Sequence, residues 1–157
     1  MFVSFSCYSR PNLIHNLKKY KVNRLIKSED LNHHGTLFAG RTAEWFVEAS
    51  FIPASCSVSS PENIVCVNIH GMEFKNAVYK GDVVCFSSYI AYLGTTSIIV
   101  FTSVHSETRN IIPVEGFVSF VHVDLDGKKT PHNLILDPTT DEDELRIRET
   151  AKQLLKR

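Results

Sequence analysis

The chain has 157 residues, 43% of them hydrophobic, and 17 Lys+Arg balance 17 Asp+Glu. That length supports one domain with a sizeable core. The charge balance argues against nucleic acid as the main partner and leaves self-association unopposed by net repulsion. No apolar run approaches the roughly 20 residues needed to span a bilayer, so no membrane partner is expected. The start, MFVSFSCYSRPNLIHNLKKYK, has no basic region ahead of its apolar residues and no clear cleavage site, and a cytoplasmic protein is expected.

Residues 1–19 read as a loose arm, and Tyr20 to Lys27 as a first strand. Residues 28–35 form a polar loop ending in Asn32, His33, His34 and Gly35. From Phe38 to about Ser55, Ala39, Ala43, Phe46, Val47, Ser50, Phe51 and Ala54 recur at helical spacing. Trp45, Ala49 and Ile52 extend the apolar surface, which predicts a buried, wrapped helix. Pro53 predicts a break or distortion near its end.

Four strand-like runs follow: Asn63 to Lys75, Asp82 to Tyr92, Thr95 to Glu107, and Val114 to Asp124. They are rich in Val, Ile, Phe, Tyr and Thr. Short turns at Gly94 and at Asp126-Gly127 favour an antiparallel sheet. Thr139 with Glu142 gives a capping-box pattern for a last helix over about Asp141 to Lys156. Its thin apolar stripe (Leu145, Ala151, Leu154, Leu155) predicts a surface or partner helix. The strands are apolar on both faces, more than one helix can cover, so oligomerisation through the sheet or its edge is expected.

Chemistry concentrates at the mouth of the first helix. Free backbone N–H groups there can stabilise an oxyanion, Gly35 and Gly40 permit close backbone approach, and Asn32 can donate to a carbonyl. Glu48 lies one turn beyond Glu44, where desolvation and the neighbouring charge would suit a general base or nucleophile. An exposed Glu on the polar stripe of a core helix is the plainer alternative. His33 and His34 are adjacent, and in an extended segment their rings would point apart, a poor metal pair. His70 reads as a strand histidine in a structural role. Cys7, Cys56, Cys66 and Cys85 match no metal-binding spacing and are expected to be buried free thiols, consistent with a reducing compartment. No nucleophile-elbow, P-loop or dinucleotide fingerprint is present.

The stretch Asn32-His33-His34-Gly35-Thr36-Leu37-Phe38-Ala39-Gly40 resembles the N-x-x-G-x-x-F-G-G opening of hotdog-fold acyl-CoA thioesterases. Gly71 to Val84 resembles that family's strand–loop–strand around F-x-x-P-V-x-x-G-D. Leu93 to Ile98 resembles its G-R-T-S hairpin, and Val114 to Lys128 its last strand and turn. The resemblance spans residues 20–130. It implies an α+β hotdog fold, a curved antiparallel sheet wrapped around one central helix. Here the fold would form one domain over 1–157, with 131–157 a C-terminal extension carrying a helix.

Units of that family pair edge to edge as dimers and assemble further into tetramers or hexamers. The implied activity is hydrolysis of acyl-CoA, with no cofactor beyond the coenzyme A of the substrate and no metal. The resemblance makes Asn32, Gly40 and Glu48 the catalytic set. Lys75, Lys80, Gly94, Thr96, Ser97 and Arg109 become candidate coenzyme A contacts, and His33, His34 and His70 candidate substrate-binding residues. The chain departs from the pattern at Val47, where the family branch carries an acid, and at Ala39, Ala77 and Thr95. Val47 keeps open a second reading, a non-catalytic acyl-CoA sensor or carrier.

Overall fold

The computed structural model describes residues 18–58 and 60–155. The arm up to residue 17, Cys7 and the far end of the last helix lie outside the described residues. The elements are β1 (Tyr20–Leu25), α1 (Ala39–Ser57), β2 (Ile64–Phe74), β3 (Val83–Leu93), β4 (Ser97–Ser106), β5 (Ile111–His122) and α2 (Glu142–Leu154). All five strands pair antiparallel in the order β1-β3-β4-β5-β2, which leaves β1 and β2 as edges. Helix α1 lies across one face. This is the expected sheet wrapped around one helix. The strand runs hold to within a few residues, except that β5 starts at Ile111, since Ile111 already pairs with Ser106.

The inward residues of the strands meet α1 in the main core: Val84, Phe86, Ile98, Val100, Val118 and Phe120 against Phe46, Ala49 and Ala54. The stripe that α1 buries is Thr42, Phe46, Ala49, Ser50, Pro53 and Ala54. It is rotated from the expected face: Ala39 is exposed and Ala43 and Val47 are half-buried. Pro53 does not break the helix, which runs four residues further. A proline denies a hydrogen bond to the carbonyl four residues back. That carbonyl, Ala49 O, instead accepts the Ser88 hydroxyl of β3 at 2.7 Å. A second clasp joins Ser50 of α1 to Thr102 of β4, Oγ to Oγ1, at 2.7 Å.

The outer face of the sheet differs from expectation. Helix α2 packs on it, with Ile147, Ala151 and Leu154 against Tyr89, Ile99, Phe101 and Phe117. It is therefore not a free surface helix, and the exposed Leu145 and Leu155 are not its buried stripe. Its cap is Asp141, whose carboxylate accepts Glu144 N–H at 2.9 Å, while Thr139 Oγ1 accepts Asp141 N–H. The capping box on Thr139 and Glu142 does not form, because the cap falls two residues later, at Asp141. Burial of Tyr89 between sheet and α2, with the Glu144 charge nearby, pushes its phenol well up. Of the three described cysteines, all free, only Cys85 is buried. Cys56 and Cys66 are exposed, against expectation, because Cys66 lies on an edge strand and Cys56 at the end of α1. Among the described residues no helix is long and apolar enough to cross a membrane.

Candidate active site

The loop before α1 is built by its own polar side chains. Asn32 Oδ1 accepts the N–H groups of His34 (2.9 Å) and Thr36 (3.2 Å), and Asn32 Nδ2 donates to Thr36 Oγ1 at 3.0 Å. Gly35 takes a left-handed φ of 75° that closes this turn. Leu37 N–H donates to Val78 O at 2.8 Å, and Phe38 N–H to Asp30 O at 2.9 Å. The loop thus delivers the chain to the start of α1 at a fixed angle.

Phe38 occupies the N-cap position and supplies no side-chain acceptor, and the first turn of α1 holds no acidic residue. Thr42 N–H bonds back to Phe38 O at 3.0 Å. The amides of Ala39, Gly40 and Arg41 have no acceptor among the described residues. Uncapped amides at the positive end of a helix dipole suit an anion or a developing oxyanion. Beside them lies an open cleft of about 280 Å³ bounded by Asn32, Thr36, Ala39, Thr42, Phe74 and Val78. The cleft opens where the last residues of β2 pass the α1 start.

Asn32 borders the cleft, but its carboxamide oxygen is taken by its own loop. Glu48 is eight residues beyond Gly40, roughly 12 Å along the helix. Its side chain is 56% exposed, and its carboxylate is ion-paired to Arg24 Nη2 of β1 at 3.1 Å. Arg24 in turn lies over the Trp45 ring. The water-poor surrounding expected for Glu48 is therefore not provided by the single chain. It faces β1, at the sheet edge opposite β2, because α1 buries the stripe through Phe46, Ser50 and Pro53. Val47 sits between these faces, half-buried.

His33 and His34 are exposed, and their ring centroids lie 3.9 Å apart. The segment is a tight turn, not an extended strand, so the rings do not point apart. His70 lies on the outer face of the sheet, away from α1, where its Nε2 meets Ser119 Oγ at 2.8 Å. Burial holds its imidazole below the ordinary histidine range. None of the three histidines is among the residues that line the cleft, although His33 and His34 sit on the turn between its Asn32 and Thr36. Among the described residues no group of three or more His, Cys, Asp or Glu is placed to hold a metal ion.

The cations divide into bound and unbound. Lys75 borders the cleft but is held by the Glu115 carboxylate. Arg109 gives its Nε to Asp82 Oδ2 at 2.8 Å and stacks over the Tyr79 ring at 4.5 Å, and its Nη1 and Nη2 meet no carboxylate among the described residues. Lys80, next to Tyr79, is exposed and forms none of the ion pairs found among the described residues. Gly94, Thr96 and Ser97 form the β3–β4 turn, closed by Gly94 N–H to Ser97 O at 2.8 Å. Leu93 shares a small cavity with Cys56 and Ser57. This turn therefore sits at the far end of α1, roughly 24 Å from Gly40.

Two side chains near the helix mouth were not singled out from the sequence. Asp30 is buried, accepts Lys27 N–H at 2.9 Å and faces Arg41 Nε at 3.6 Å. Asp82 is buried and joins Tyr79 N–H to Arg109. The Asp82-turn carries Val78 and Tyr79, which pair with Leu37 and Thr36. An acid beside turn residues, S-E-D before Asn32 and G-D after Lys80, was the available signal.

A family model described as the thioesterase superfamily matches residues 34–112. A Bacillus subtilis (strain 168) protein, described as an uncharacterized acyl-CoA thioester hydrolase, is 28% identical over 142 residues. The match covers 85% of this chain and 80% of that one. A solved acyl-CoA hydrolase from Staphylococcus aureus, in complex with butyryl coenzyme A, coenzyme A and coenzyme A disulfide, aligns with a TM-score of 0.78. It is 25% identical over 88% of this chain and 82% of its own. A solved apo-hexameric acyl-CoA thioesterase aligns with a TM-score of 0.78 at 29% identity, covering 88% of each chain.

Proposed function

The chain belongs to the thioesterase superfamily, and on that premise we propose that it hydrolyses acyl-CoA thioesters to a free acid and coenzyme A. The observation that carries this reading is the set of uncapped amides at Ala39, Gly40 and Arg41 beside an open cleft. The thioester carbonyl oxygen accepts from Gly40 N–H. Water adds to the carbonyl carbon, and the tetrahedral oxyanion draws charge toward the helix N-terminus. Collapse expels the coenzyme A thiolate, which takes up a proton. One such donor is worth roughly 3 kcal/mol in the transition state. Asn32 serves by holding the loop in shape, with one Nδ2 proton left to aim at substrate.

Glu48 is the proposed base or nucleophile; about 12 Å along the helix from Gly40 it cannot reach that carbonyl within its own chain, so it would act on a cleft of a second copy, after leaving Arg24. The Nη1 and Nη2 groups of Arg109 and the Lys80 ammonium, on neighbouring turns, suit the coenzyme A phosphates, whereas Lys75 is already neutralised by Glu115. Gly94, Thr96 and Ser97 would reach a cleft only from a second copy. Self-association is supported by β2, an 11-residue edge strand with Val65, Val67, Ile69 and Phe74 exposed. The hexameric thioesterase among the similar structures points the same way. Val67→Lys is expected to shift the chain to monomers in sedimentation; an unchanged assembly would move the interface elsewhere.

Thiol release from an acyl-CoA panel tests the chemistry. Glu48→Gln is expected to abolish release while leaving binding by calorimetry. If Glu48→Gln is fully active and Asn32→Ala is dead, the base is another group. The second reading, an acyl-CoA binder without turnover, is favoured by the Arg24–Glu48 pair and by Val47. Calorimetric binding with no thiol released by the wild-type chain would establish it over hydrolysis.

A further inference from the structure

Gly40 has an ordinary helical backbone, so its φ gives no reason for glycine. Glycine inside a helix costs up to about 1 kcal/mol relative to alanine. A Cβ on residue 40 would lie 2.6 Å from Cε1 of Phe38, 3.1 Å from Cζ and 3.3 Å from Cδ1. The edge of the Phe38 ring occupies the place where any side chain of residue 40 would begin.

The backbone of Phe38 is fixed on both sides. Its N–H bonds to Asp30 O at 2.9 Å, and its carbonyl accepts Thr42 N–H at 3.0 Å and Thr42 Oγ1–H at 3.2 Å. Only side-chain rotation can lift the ring. The ring is nevertheless 54% exposed, so the core does not hold it there. One edge rests on Gly40, and the rest faces solvent. An apolar ring held in water beside an uncapped amide has a local effect. Such a ring can exclude water from one side of that donor, and a donor with less competing water stabilises developing charge more strongly.

We propose that Phe38 is a positioning residue of the thioester site, its ring seated on the bare α-carbon of Gly40 so as to screen the Gly40 amide from water. Gly40 is glycine to admit the ring, and ring and amide work as one unit. This rests on the hydrolase reading for its kinetic consequence but not for its structural one.

Two measurements test it on the full chain. The first is amide hydrogen exchange at Gly40, with Ala39 as the internal reference. Phe38→Ala is expected to speed Gly40 exchange about tenfold relative to Ala39 and to shift the Gly40 amide proton by loss of the ring current, while Phe38→Tyr keeps both. Equal exchange and an unmoved resonance in Phe38→Ala would overturn the proposal, whatever the activity. The second is thiol release. Phe38→Ala is expected to lower kcat about tenfold with KM changed less than about threefold, and Phe38→Tyr to restore it. Gly40→Ala displaces the ring, so Phe38→Ala with Gly40→Ala is expected to lose no more than the worse single variant. Losses that multiply would show ring and glycine acting separately and overturn the unit. Ring-dependent exchange in a wild-type chain that releases no thiol would keep the screening and remove the hydrolase reading alone.

Discussion

The clasp between α1 and the sheet makes a quantitative demand. Ser50 and Thr102 are fully buried, and Ser50 Oγ also lies 2.7 Å from Phe46 O. The Ser50 proton goes to that carbonyl, so the Thr102 proton goes to Ser50 Oγ. The two residues are therefore unequal. Thr102→Val keeps the shape and removes one hydrogen bond, leaving the Ser50 donor satisfied, at about 1 kcal/mol. Ser50→Ala strands the Thr102 hydroxyl in the core with no acceptor, at about 2 kcal/mol. With both replaced, nothing is stranded, and the cost falls back to about 1 kcal/mol where additivity would give about 3. Urea unfolding of the four proteins at constant m reads these values directly. Heat unfolding should separate Ser50→Ala from the double variant by about 2–4 °C. Thr102→Val costing more than Ser50→Ala, or an additive double variant, would refute the proton assignment. The clasp sets the rotation of α1 about its axis, and hence where the Gly40 amide points.

Three other outcomes are expected. Val47→Asp places a carboxylate where the resembling family carries one; thiol release should rise at least about tenfold, at a stability cost near 1–2 kcal/mol for a half-buried charge, and an unchanged rate would leave the base at Glu48. Lys80→Ala and Arg109→Ala should raise KM for acyl-CoA several-fold in a salt-dependent way, whereas Lys75→Ala, already paired with Glu115, should move it little; the reverse order would relocate the phosphates. Burial holds the His132 imidazole below its ordinary value, and its Nδ1 must be unprotonated to accept Leu134 N–H at 3.0 Å. A depressed folded value means the unfolded chain binds the proton first, so this contribution is complete above about pH 6.5 and is lost as pH falls through the folded value. His132→Asn should flatten the acid side of the Tm profile, and a slope equal to wild type would exclude His132 as a source.

Local pattern determined much of this protein. Helical spacing of apolar residues located α1, runs of Val, Ile, Phe and Thr located the strands, Gly94 separated two of them, and the turn at Gly127 ended the last. These signals survive because each is set by neighbours in sequence. The helix mouth was legible for the same reason: Asn32, Gly35 and Phe38 act within one short turn.

Only the tertiary structure decided which way these parts face. α1 is apolar over most of its circumference, so sequence could not choose the stripe through Phe46, Ser50 and Pro53, and that choice turned Glu48 toward Arg24. Pro53 was tolerated because Ser88, 35 positions on and in another element, takes the carbonyl that the proline leaves free. A charged helix with a thin stripe became the cover of the outer sheet face because Tyr89, Phe101 and Phe117 gather there from three strands. The Phe38 ring on Gly40 was equally out of reach, because two residues apart in sequence become touching partners only once Asp30 and Thr42 fix the backbone between them. Periodicity reports which residues are apolar; which neighbour each meets is set by contacts between chain segments far apart in sequence.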